Sequence, residues 1–142
     1  MPNSQDRGRG RCWLPLICLL LLPGCNSEWL AARERNAQAN ITQPIAPKIE
    51  IVALMRTYLN DPTNVRDAYI SAPELRTLDN ISRYTICIRY NPRQVGGQYA
   101  GSRENLVLFS HGRLEHIIDN ARGQCKDAAY EPFRELEAMP PR

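Results

Sequence analysis

Apolar residues follow three rhythms along this chain. Between residues 12 and 22 they are continuous: Cys-Trp-Leu-Pro-Leu-Ile-Cys-Leu-Leu-Leu-Leu. Over residues 48–59 they recur with helical spacing. Ile51, Val52, Met55, Tyr58 and Leu59 stand at i, i+1, i+4, i+7 and i+8, which lines one side of an α-helix. Pro47 suits the first turn, where its missing N–H costs nothing, and Asn60-Asp61-Pro62 ends the helix. From residue 84 the period drops to two. Tyr84, Ile86, Ile88 and Tyr90 alternate with Thr85, Cys87 and Arg89 until Asn91-Pro92 stops the run, the pattern of a β-strand. Residues 104–110 predict a second strand and residues 113–118 a returning one. His111-Gly112 between them reads as a two-residue hairpin turn, because Gly accepts positive φ and His tolerates it. Residues 65–71 read as strand or helix, and Pro73 ends either.

These elements predict an α+β fold: one N-terminal helix packed on a small antiparallel meander of three to four strands. Strand parity turns Tyr84, Ile86 and Ile88 toward the helix and Cys87 to the opposite face. Pro132, Pro140 and Pro141 predict an irregular C-terminal segment with at most a short helix. Tyr130, Phe133 and Leu136 are available there to cover the Cys87 face.

The continuous run at residues 12–22 is too short for a membrane span. As a helix it reaches about 16 Å against a hydrocarbon core of ~30 Å. It follows Arg7, Arg9 and Arg11 and closes on Leu22-Pro23-Gly24-Cys25. A basic start, a short apolar run and a small residue before the cut make a secretory signal. With a cysteine after the cut, residues 1–25 resemble the signal peptide of bacterial lipoproteins. The resemblance implies cleavage before Cys25, a diacylglycerol on its sulfur and a palmitate-type acyl chain on its amine. Several acyl chains anchor stably where one does not. Asn26 departs from the Asp that marks inner-membrane retention in such proteins. The implied address is therefore the periplasmic face of the outer membrane, with the lipid bilayer as first partner. The chain then divides into a signal peptide (1–24), a lipid-anchored tether (25–45) and a single small α+β domain (46–142). A flexible linker of this length spans about 25 Å. Glu28 to Arg35 could turn into a transient helix that brings Trp29 near the headgroups.

Removing the signal changes the charge and cysteine pictures. Its three arginines and Asp6 account for +2 of the +3 net charge, leaving about +1 and no basic run. Nucleic acid is thereby a poor partner. Of five cysteines, Cys12 and Cys18 leave with the signal and Cys25 carries lipid. Cys87 and Cys125 remain as one pair in an oxidising compartment, which predicts a disulfide; two buried free thiols are the alternative. The bridge would close a loop of roughly 39 residues, worth about 4 kcal/mol in the chain-entropy model.

No chemistry-bearing motif stands out. His111 and His116 lie five apart across a turn and do not converge, so neither metal nor cofactor is expected. Gly-x-Ser-x-Gly is absent, and adjacent Ser110 and His111 point apart. Gly96-Gly97-Gln98-Tyr99-Ala100-Gly101-Ser102 lacks the Lys-Ser/Thr of a phosphate loop. It reads either as a plain flexible connection or as a contact loop, with Tyr99 as a stacking face and Arg93 and Arg103 flanking it. The expected function is a non-enzymatic, membrane-anchored periplasmic module for binding or envelope assembly, with an envelope protein as partner. The alternatives are a cell-envelope hydrolase with an unrecognised site, or an inhibitor of a lysozyme-like enzyme. Lipoprotein inhibitors of that kind also combine a lipidated cysteine, short strands and disulfides.

Overall fold

A computed structural model describes residues 27–141; Cys25 and the predicted signal lie outside the described residues. Two helices, α1 (Ser27–Asn40) and α2 (Pro47–Tyr58), precede β1 (Asp61–Ser71), β2 (Glu74–Leu78), β3 (Ile81–Arg93), β4 (Arg103–Ser110) and β5 (Arg113–Ile118). A 3-10 turn (Ala121–Gly123), β6 (Tyr130–Pro132) and α3 (Arg134–Glu137) follow. The strands form one antiparallel sheet in the order β5-β4-β3-β1-β6, with β2 also paired to β3.

The long strand β3 organises the sheet. Its first part pairs with β2 and its second with β1, so β1 and β2 run along it as one strand interrupted at Ala72-Pro73. Pro73 has no N–H to donate. At the break the Ser71 hydroxyl accepts the Cys87 N–H at 2.9 Å, which keeps that buried donor satisfied. Residues 65–71 are therefore strand, and the strand starts earlier, at Asp61.

Parity divides the sheet into two faces. Ile86, Ile88, Tyr90, Val107, Phe109, Val65 and Ile70 meet Ile51 and Met55 of α2 in the main core. Fully burying residues such as Ile51 and Met55 contributes about 1.5–3 kcal/mol each. Glu50 ties the helix to the far edge by accepting the Leu114 N–H at 2.7 Å. On the other face, Cys87 and Cys125 are disulfide-bonded with Cα atoms 5.8 Å apart. They pack with Leu106 and Ala121 in a second, smaller cluster. We call these the helix face and the disulfide face.

The structure departs from the expectation in three places. The sheet has six strands rather than three or four, because β2 and β6 are short and polar and carry no apolar alternation. Asp79 and Asn80 (φ 50° and 63°) make a tight turn into β3, built like the one at His111 and Gly112 (φ 53° and 74°). Pro132 is tolerated in β6 because that strand lies at the sheet edge. Secondly, a 14-residue helix occupies Ser27–Asn40 where a flexible linker was expected. Its Ala, Leu, Glu, Arg and Gln are strong helix formers. From residue 28 to 37 it is exposed except at half-buried Ala32. Thirdly, Phe133 and Leu136 do not cover the Cys87 face. Both are fully buried on the helix face, because β6 pairs beside β1 and hands the chain to α3 at the sheet edge. Tyr130 does remain on the disulfide face.

Candidate functional site

The disulfide face carries a ladder of arginines and tyrosines. Arg89 lies two residues beyond Cys87 on β3 and so shares its face. Its cross-strand neighbours are Tyr69 on β1 and Glu104 on β4. The Arg89 guanidinium carbon is 4.7 Å from the centre of the Tyr69 ring and 4.6 Å from that of Tyr130. Tyr130 starts on β6, opposite Ser71, and its O–H donates to Glu104 Oε1 at 3.1 Å. Its ring therefore reaches from the sheet edge across β1 and β3 to β4. Burial first, and then the Glu104 carboxylate, push the Tyr130 phenol up to about 12.

One ladder step away, Arg66 lies opposite Asn91 and stacks 4.2 Å from the centre of the Tyr99 ring. Stacks of this kind contribute about 0.5–2 kcal/mol each, more where water is excluded. Tyr99 is fixed from both ends. Its O–H donates to the Asn64 carbonyl at 3.0 Å, and its backbone bridges Arg93. Arg93 Nε donates to the Gly97 carbonyl at 3.2 Å, and Nη1 lies 3.8 Å from Asp61 Oδ2. Gly97 has φ +84°, a conformation that favours glycine in this turn. The segment around residues 94–101 is thus closed by its own hydrogen bonds, from Gln94 N–H to the Gln98 carbonyl and from Ala100 N–H to the Pro92 carbonyl.

Of the three residues expected at a contact loop, the structure brings Arg93 and Tyr99 together. Arg103 is elsewhere: from the start of β4 it pairs with Tyr90 on β3 and so belongs to the helix face. Arg66, Tyr69 and Arg89 were not expected at a site, and Tyr130 was expected on the Cys87 face but not as part of one. Parity could have placed Arg89 beside Cys87, but Tyr130 and Arg66 join it only through strand register.

The arginines around this face divide into two groups. Arg76 pairs with Glu74 and donates to the Gln124 carbonyl. Arg83 pairs with Glu115 at 2.8 Å, Arg93 with Asp61, and Arg122 donates to the Ser102 carbonyl. Arg66 and Arg89 differ: among the described residues their guanidinium partners are aromatic rings, with no carboxylate or carbonyl accepting their N–H groups.

Other polar features have structural explanations. Asn105, 2% exposed, donates to the Tyr90 hydroxyl and to Asp119 Oδ1, each at 3.0 Å. The Tyr58 O–H donates to the same carboxylate oxygen, tying α2 to the exit of β5. Burial raises both phenols above their usual range, with Asp119 adding to the effect. A shallow groove of about 350 Å³ lies at the other end of the disulfide face, lined by Leu78, Ile81, Leu108 and Ile118 around the Arg83–Glu115 pair. His116 borders it. Ser110 and His111 do not point apart as expected: His111 stands in a turn at φ 53° rather than in a strand, so its Nδ1 lies 2.8 Å from Ser110 Oγ. Among the described residues no group of three or more His, Cys, Asp or Glu could hold a metal ion. No helix there is long and apolar enough to cross a membrane. In comparison with known proteins, the chain matches no family model, no curated protein and no solved structure.

Proposed function

We propose that this protein is a lipoprotein of the bacterial envelope, held by acylated Cys25, whose folded domain binds another envelope component and performs no chemistry. The Cys87–Cys125 disulfide supports an oxidising compartment. The helix α1, 14 residues that come against β3 and β4, supports an ordered link from Cys25 to the domain in place of a free tether. The observation that carries the binding role is the arginine–tyrosine ladder. It fixes cationic and aromatic groups on a rigid sheet face, where recognition requires little further ordering of side chains.

The test has two parts. The full chain, expressed in a two-membrane bacterium with an alkyne-tagged palmitate analogue, should be labelled and should fractionate with the outer membrane, and Cys25→Ser should abolish both. Affinity capture from detergent-solubilised envelopes should then recover a stoichiometric partner. Deletion of residues 94–102 should lose that partner, as should Arg89→Gln. Unlabelled Cys25 would overturn the anchor, and capture unchanged in both ladder variants would overturn the binding role.

A further inference from the structure

We infer that Arg89 and Arg66 form a recognition site for a phosphate group, the ligand chemistry of the binding role proposed above, on which this inference rests. A guanidinium carries five N–H donors in a planar fork. Arg76, Arg83, Arg93 and Arg122 each direct at least one N–H at a protein acceptor, although buried Arg83 Nε has no partner among the described residues. Half-buried Arg89 instead lies against two tyrosine rings at 4.7 and 4.6 Å. The described contacts give its N–H donors no carboxylate or carbonyl, and a guanidinium fork matches two oxygens of one oxyanion. Arg66 stands opposite Asn91, one same-face step from Arg89. Regular diagonal neighbours lie about 7–8 Å apart at the backbone; here a register shift separates Arg66 from Tyr69, and each guanidinium sits on its own ring or rings, so a shared ligand has to bridge them. Two cations without a carboxylate among the described residues favour a group that carries up to two negative charges, as phosphate does.

Glu104 decides whether the site is open. It is the direct cross-strand neighbour of Arg89 and the carboxylate best placed to neutralise it. Its Oε1 instead accepts the Tyr130 O–H at 3.1 Å, and the two residues form no ion pair among the described contacts. Tyr130 thus stacks on Arg89 with its ring and draws away the competing carboxylate with its hydroxyl. Removing that hydroxyl should close the site by freeing Glu104 to pair with Arg89.

The experiment follows the arginine Nε–H resonances of the isotope-labelled full chain in maltoside micelles. Inorganic phosphate is added at constant ionic strength, balanced with sodium chloride. In a second arm the micelles are doped with phosphatidic acid. Saturable shifts of the Arg89 and Arg66 signals with inorganic phosphate would identify a soluble phosphate compound as the source. Shifts in the doped micelles alone would identify a lipid headgroup. Arg89→Gln should weaken the response of Arg66 at least about tenfold. Tyr130→Phe should weaken it too, and Tyr130→Phe with Glu104→Gln should restore it. A merely structural role for Tyr130 would not produce that rescue. Linear shifts equal to those in chloride, in both arms, would overturn the inference. With partner capture intact, that result leaves the binding role standing; loss of ladder-dependent capture overturns the role itself.

Discussion

Replacing both Cys87 and Cys125 with alanine should destabilise the domain by about 4 kcal/mol. The two residues are 38 apart in sequence, and the chain-entropy model assigns roughly this amount to a loop of that size. Both are 1% exposed, so the loss of their sulfurs adds a small packing cost. Small domains unfold with about 5–15 kcal/mol, so the bridge supplies a large share of stability. With a urea m-value near 1.5 kcal/mol/M, the unfolding midpoint should fall by about 2.5–3 M. Wild-type protein unfolded under reducing conditions should give nearly the same midpoint. Hydrogen exchange locates the effect. The Cys125 N–H, bonded to the Ala121 carbonyl at 2.9 Å, should lose protection before amides of β3 and β4. A midpoint shift below about 0.7 M, or 1 kcal/mol, would refute the reasoning. It would mean that the segment after β5 is held to the sheet without the crosslink, or that the reduced unfolded chain is already compact.

Three further outcomes are expected. Asn105→Ala should cost about 1–3 kcal/mol in urea unfolding, because it leaves the buried Tyr90 hydroxyl without its partner. Gly112→Ala should lower the melting temperature by a cost of about 1–2 kcal/mol: φ is +74° and the new Cβ would stand 3.1 Å from Thr42 Cγ2. Tyr130 predicts an alkaline loss of stability. Its phenol is raised to about 12 in the folded state, whereas the unfolded phenol ionises near pH 10. Between these values the unfolded chain binds fewer protons, so stability falls as pH rises through that window and levels off above it. Absorbance titration should show a late tyrosine that Tyr130→Phe removes, and that variant should lose less stability between pH 10 and 12.

How much could be read from the chain alone differs from element to element. The α2 stripe, the β3 alternation and the His111-Gly112 turn were legible because each is a local pattern with one dominant period. The disulfide was legible by elimination once the N-terminal cysteines were set aside. β2 was not, since Glu-Leu-Arg-Thr-Leu has no apolar alternation and neither of its faces is deeply buried. Its Asp79-Asn80 turn lacks the glycine that usually marks such a hairpin. β6 is three residues long and owes its existence to the ladder offered by β1. The candidate site was half legible. Tyr99 and Arg93 stood out because a glycine-rich loop concentrates attention, yet both are engaged within the domain.

The sequence by itself determined the α2 stripe, the β3 alternation, the His111-Gly112 turn and the pairing open to Cys87 and Cys125, because those follow from side-chain period, φ preference and counting. The tertiary structure alone decided that Phe133 and Leu136 cross to the helix face and that Tyr130 stretches over Arg89. It also decided that Arg66 and Arg89, 23 residues apart in the chain, stand one step apart on a sheet. Register between distant strands sets all three. A one-residue slip would turn every one of those side chains to the other face, and the sum of many weak contacts across the sheet selects the register that the local patterns leave open.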